Sequence, residues 1–148
     1  MKRIRWALEG LCLALLAEGF LLPALLWGRI PKQIPGHYNA AGEIDRWGSK
    51  WELFLLPVFS VILYLLLTAV CAAVRPEVKK GALPPSAPAW LAGIKLAVLA
   101  GFAWSGGCMA LCRPLPERFT AAFTAAVLLP AAGFLVSAIR FTARGNPR

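Results

Sequence analysis

The chain has 148 residues, 59% of them hydrophobic, with a mean hydropathy of +0.65. A water-soluble domain of that composition exposes too much apolar surface, so lipid is the expected solvent. The net charge of +9 invites a nucleic-acid reading. The basic residues, however, are spread over the ends of apolar segments and not gathered on one face, so no nucleic-acid partner is expected.

Four apolar stretches, 6–27, 53–74, 90–111 and 119–139, are long enough for a bilayer core of about 30 Å, which takes roughly 20 helical residues. The expected fold class is all-α: one polytopic membrane domain over 1–148, a four-transmembrane-helix bundle with an ordered loop, 30–52, between the first two helices. Helices are the choice because they satisfy their backbone polar groups internally in lipid. If the N-terminus is cytoplasmic, nine basic residues flank the inner ends: Lys2, Arg3, Arg5, Arg75, Lys79, Lys80, Arg140, Arg144 and Arg148. Six lie outside: Arg29, Lys32, Arg46, Lys50, Arg113 and Arg118. This bias predicts cytoplasmic N- and C-termini and an outer 30–52 loop.

The first helix begins like a signal peptide, with basic MKRIR. Its apolar run is long and is interrupted by Glu9 and Glu18, and no clear small-x-small cleavage site precedes the loop. An uncleaved helix is therefore expected, with Pro23 bending its outer part. Glu18 falls near the bilayer centre, where a carboxyl group faces a protein interior or a polar cavity. It is a candidate proton or ligand site, or a neutral acid hydrogen-bonded to a neighbouring helix.

In the second helix Ser60, Tyr64, Thr68 and Cys71 fall on one face. Tyr64 lies near the depth of Glu18, which suggests a Glu18–Tyr64 hydrogen bond. Prolines and Gly81 are expected to break any continuous helix over 75–88, leaving a basic linker. In the third helix Gly93, Ala97, Gly101 and Ser105 make a small-xxx-small face, expected to pack within the chain. Lys95 is expected to snorkel to the headgroups, with pairing to Glu9 at similar depth as the alternative. The fourth helix carries Pro130 and Gly133 among small residues. Cys12, Cys71, Cys108 and Cys112 lie in or at the ends of apolar segments, without a companion histidine, and read as small packing residues.

The 30–52 loop holds the only histidine, His37. Pro31 and Pro35 push Ile30 and Ile34 into extended conformations. Asn39-Ala40-Ala41-Gly42 is turn chemistry, and Ser49-Lys50-Trp51-Glu52 is a capping box opening the second helix. Trp27, Trp47 and Trp51 suit the interfacial belt. His37, Asn39, Glu43 and Asp45 do not specify a metal, and no nucleophile elbow, HExxH helix or phosphate loop is present. No metal and no cofactor are expected, and from the residues alone His37 and Asp45 read as hydrogen-bonding the loop to itself.

The pattern I-P-x-x-I-P-x-H-Y-N-x-x-G-x-x-D-x-W-G-S-K, from Ile30 to Lys50, resembles the N-terminal domain of unknown function of bacterial SdpI-type immunity and signalling proteins. The resemblance covers about the first half of the chain. It implies a plasma-membrane protein of non-enzymatic type, protecting against or sensing a secreted peptide toxin and able to hold a cytosolic transcriptional regulator at the membrane. With four predicted helices, this chain is expected to depart from the full-length immunity proteins by their additional C-terminal membrane domain. On this reading His37, Tyr38, Asn39, Asp45, Trp47, Ser49 and Lys50 form a recognition surface for a peptide toxin or envelope component. Two rivals are a small transporter using Glu18 and Tyr64, and a membrane enzyme using His37 and Asp45.

Overall fold

The computed structural model describes residues 2–144. The expected flanking charges at Lys2, Arg3, Arg5 and Arg148 lie outside its described side chains. Four helices form the bundle: α1 (Lys2–Leu26), α2 (Leu55–Lys79), α3 (Ala87–Ala110) and α4 (Phe119–Ala143). Each is long and apolar enough to cross a membrane. Between α1 and α2 lies an antiparallel hairpin, β1 (Gln33–Tyr38) and β2 (Ile44–Ser49), followed by a short 3₁₀ turn, Lys50–Phe54. The all-α bundle thus carries a small β element where an ordered loop was expected.

The exterior of the bundle is apolar. Leu25, Leu65, Leu129 and Leu135 are each at least 60% exposed. In water such a surface drives association, whereas in lipid it is the ordinary solvent-facing surface. The interior, by contrast, holds buried Ser60 and Lys95. Among the described residues of the helices, α3 packs on α1, α2 and α4, and α4 packs on α3 alone.

Lipid tails are as apolar as leucine, so close approach through small residues, not escape from water, brings such helices together. Gly93 faces Pro130, Gly101 receives the Phe123 ring, and Gly133 receives the Trp90 ring. The small-residue face of α3 therefore packs inside the chain at Gly93 and Gly101. A side-chain carbon at Gly101 would fall on the Phe123 ring. Gly101→Ala is expected to cost about 1–3 kcal/mol through overpacking, measured by melting in detergent. A Gly101→Ala/Phe123→Ala double variant should recover part of that loss. A single variant that melts with the wild type would show that α4 does not need this contact.

The helix ends differ most from expectation at the end of α2. α2 continues through Arg75 and Pro76 to Lys79, so the break over 75–88 begins only at Lys80. Pro76 costs one backbone hydrogen bond, which is tolerable in the last turn, beyond the apolar core. The stop comes at Gly81, whose φ of 75° is left-handed. α3 then opens with Pro88 in its first turn, where a missing N–H costs nothing.

Candidate functional site

The hairpin follows from its residues. Pro31 and Pro35 keep the chain extended, and Asn39 closes the turn. The Asn39 amide N–H donates to the Glu43 carbonyl at 2.9 Å, and the Gly42 amide N–H to the Asn39 carbonyl at 2.9 Å. The Asn39 side-chain oxygen accepts from the amides of Ala41 and Glu43, both at 3.0 Å, and its side-chain NH2 donates to Glu43. Gly42 has φ of 86°, a value that strains any side-chain-bearing residue. The pairing runs Gln33 with Ser49, Ile34 with Gly48, and Pro35 with Trp47. It then shifts twice, between Pro35 and His37 and between His37 and Tyr38, setting His37 against Arg46 and Tyr38 against Ile44.

One face of the hairpin is anchored to the bundle. Ile34 is fully buried and Ile30 nearly so, and with Leu53, Met109 and Ala110 they form the core at this end. Leu22, Leu26 and Leu56 pack around that core. Polar ties run from the hairpin to the α3–α4 connection. The Tyr38 hydroxyl donates to the Arg113 carbonyl at 3.0 Å, and the Leu115 amide N–H to the Gly42 carbonyl at 2.9 Å. Burial, with the Cys108 and Cys112 thiols adding to it, pushes the Tyr38 hydroxyl far above its ordinary pKa. A tyrosine is protonated at physiological pH even at its ordinary pKa of about 10, so the hydroxyl is the donor in this bond.

The second strand is clamped to the start of α2. The capping box is formed: Glu52 accepts from the Ser49 amide at 3.1 Å, and the Ser49 hydroxyl accepts from the backbone that follows. Arg46 donates to Glu52 and to the Gly36 carbonyl, both at 2.7 Å. The Glu52 carboxylate beside Arg46 raises the pKa of the guanidinium. Gly36 and Gly48 leave the room in which the Arg46 and Glu52 side chains lie, because a side-chain carbon at either glycine would strike one of them. Lys50 is drawn over the Trp27 ring, 4.1 Å from its centroid, and Trp27 packs on Trp51 with 4.7 Å between centroids. This aromatic and basic cluster suits the membrane–water interface.

Of the expected recognition residues, His37, Asp45 and Trp47 stand exposed, as do Lys32, Ala40, Ala41 and Glu43 of the same segment. His37 Nδ1 lies 2.7 Å from Asp45 Oδ1, with the side chains 64% and 42% exposed. An exposed pair of this kind contributes roughly 0–1 kcal/mol to stability, so the hairpin does not depend on it. Trp47 is more than half exposed. The expected recognition residues therefore divide. Tyr38, Asn39, Ser49 and Lys50 hold the hairpin in shape, while His37, Asp45 and Trp47 are presented. Arg46 is the structural residue that sequence reasoning passed over, and its only signal was an arginine six positions before the capping glutamate.

Glu18 and Tyr64 are not brought together. The Tyr64 hydroxyl donates to Glu9 Oε2 at 3.1 Å. Lys95 does not snorkel: only 2% of its side chain is exposed, and it donates to both Glu9 oxygens, at 2.6 and 2.8 Å, and to Thr68 at 3.3 Å. Similar depth was the only ground for a Glu18–Tyr64 bond. A hydrogen bond to a charged acceptor is roughly twice as strong as one between neutral groups, so the phenol goes to the ion-paired Glu9. Of the polar line on α2, Tyr64 and Thr68 thus serve a cluster that joins α1, α2 and α3, while the Ser60 hydroxyl donates to the Leu56 carbonyl of its own helix at 2.8 Å. All four cysteines are free thiols, Cys12 and Cys71 buried. Among the described residues no group of three histidine, cysteine or acidic side chains is arranged to hold a metal ion.

Residues 14–61 match the Domain of unknown function (DUF1648) family. That segment runs from the middle of α1 through the whole hairpin into α2, and the domain occurs in SdpI-like proteins. An uncharacterized protein of Archaeoglobus fulgidus is 45% identical over 56 residues, 37% of this chain and 31% of that protein. The chain therefore spans about a third of the length of that relative. No solved structure matches the chain. With four membrane-length helices and this domain, the chain is a multi-pass membrane protein whose matched segment is built around the hairpin.

Proposed function

We propose that the protein is a non-enzymatic, SdpI-like membrane protein that recognises a peptide toxin or an envelope component through the hairpin, on the outer side of a bacterial plasma membrane. Both termini are cytoplasmic on this reading, leaving the far end of the bundle available to a cytosolic transcriptional regulator. The observation that carries it is the division of labour in the hairpin. Buried Ile34, the Tyr38–Arg113 tie and the Arg46–Glu52 clamp fix its shape, while His37, Asp45 and Trp47 add little to that shape and are presented outward. A rigid platform binds with less ordering entropy to lose than a flexible loop.

Two measurements test this reading. The four native cysteines are replaced, Ala41→Cys is introduced at the hairpin tip, and intact cells are treated with a membrane-impermeant maleimide. Labelling of intact cells is the expected result. Labelling only after lysis would turn the hairpin to the cytosol and end the extracellular reading. In the second, a sensitive strain expressing the protein is challenged with a peptide toxin encoded nearby. Survival is expected, and it should be lost in a His37→Ala/Trp47→Ala variant that is still inserted. No protection against such toxins would remove immunity as the role.

A further inference from the structure

Glu18 is left out of the polar cluster in the bundle. It stands on α1 about two turns from the hairpin end, inside the apolar span Trp6–Leu26. Its Oε2 is shut off from solvent and has no hydrogen-bond partner among the described residues. Acids inside a membrane span face a partner or a cavity, and a buried polar atom with neither calls for an explanation.

Two spaces meet at this side chain. The first is a cavity of about 10 Å³ between α1, α2 and α3, also bordered by Ser60 and about the size for one water molecule. The second is a cleft of about 620 Å³ between α1 and α3, in the range of small-molecule sites, about 300–1,000 Å³. Its walls include Leu15, Ala103, Trp104 and Leu111; Glu18 is the one acid lining it, and Arg113 the one basic residue. The cleft is therefore apolar, with a single carboxyl group set into one wall.

We propose that this cleft binds a lipophilic organic cation, its positive centre against Glu18 and its apolar groups against Trp104 and Leu111. Charge complementarity selects the occupant. A neutral apolar molecule offers the Glu18 carboxyl group no counter-charge, and a small hydrated cation gains nothing from apolar walls in return for its lost water. A cation with apolar substituents satisfies both, and the Trp104 ring adds an electron-rich face. Arg113 does not oppose this. It lies in the α3–α4 connection, beyond the end of α3, where salt screens its charge over about 8 Å. Attraction to Glu18 acts within an apolar wall, where charges interact more strongly. A lipophilic cation has a lateral route from the bilayer past Trp104 and Leu111, which are 57% and 55% exposed.

The test uses the full chain in lipid nanodiscs and radiolabelled tetraphenylphosphonium in equilibrium dialysis, with empty nanodiscs subtracted. Saturable binding at one site per chain is expected. Glu18→Gln should weaken it at least about tenfold, as when a desolvated charge pair loses one member, and Glu18→Asp should retain most of it. Gly107→Leu provides a second variant with Glu18 intact. Gly107 lines the cleft, and a first side-chain carbon there meets nothing within 4 Å. The added bulk should abolish binding, and the melting temperature, measured alongside, shows that the fold is kept. Absence of saturable binding by the wild type overturns the proposal, as does equal affinity in wild type and Glu18→Gln. If Glu18→Gln fails to fold, unchanged binding in Gly107→Leu overturns it and lost binding supports it.

Discussion

Lys95→Met is expected to destabilise the bundle more than any other single substitution considered, by about 3–5 kcal/mol. The Lys95 side chain is 2% exposed and holds both oxygens of Glu9. Removing it leaves Glu9 with the Tyr64 hydroxyl as its remaining donor among the described residues, and an acid inside a membrane bundle that has lost its counter-ion is costly. The loss is thus mostly the penalty of an uncompensated carboxylate, not the worth of the pair. That distinction can be measured. Glu9→Gln/Lys95→Met removes both charges and should recover most of the loss, since replacing a whole buried pair is often close to neutral. Unfolding in mixed micelles of increasing SDS fraction gives both numbers. If the single variant loses less than about 1 kcal/mol, or the double variant is the less stable of the two, the cluster does not act as a buried ion pair.

Ile34→Ala is expected to cost about 2–5 kcal/mol, the usual range for a large aliphatic residue cut back in a core. Here the transfer argument of soluble proteins applies, because the hairpin lies beyond the end of α1 and water is the alternative environment. Ile34 is fully buried against Ile30, Leu53, Met109 and Ala110. The loss should be local. Amide hydrogen exchange over residues 33–49 should accelerate at least about tenfold, the equivalent of 1.4 kcal/mol, while amides around Lys95 keep their protection. Uniform acceleration across the chain would mean that hairpin and bundle open as one unit. No acceleration would mean that the Tyr38 and Arg46 contacts hold the hairpin without this side chain.

The four spans were legible because an uninterrupted apolar run of helical length admits few other readings in lipid. The capping box was legible for a similar reason: Ser49 and Glu52 act across three residues, so adjacency in sequence is enough. The hairpin was read only halfway. Pro31 and Pro35 announced an extended chain and Asn39 a turn, but the pairing depends on β2, whose Asp45, Arg46 and Trp47 show no apolar alternation. Proline within β1 and the register shifts around His37 also mask the strand pattern. The polar cluster was harder still. Helical spacing gave the depth of Glu9, Glu18, Tyr64 and Lys95, but not which way each helix turns its face. Depth alone favoured Glu18 for Tyr64, and Lys95 was expected to snorkel although Glu9 lay at similar depth; the packing of α3 between α1 and α2 decided otherwise.

The same cluster constrains how the chain enters a bilayer. Glu9 and Tyr64 belong to α1 and α2, which are made first, and their hydrogen bond can form before α3 exists. Lys95 is different: α3 emerges carrying a cation whose partner is already in the membrane. Its insertion is therefore conditional on α1 having stayed close by, and α3 reads as a passenger that boards only beside its counter-ion. In a glycosylation-mapping assay, α3 should integrate more efficiently behind native α1–α2 than behind a Glu9→Gln copy. α4, which carries no such debt and packs on α3 alone, can follow last.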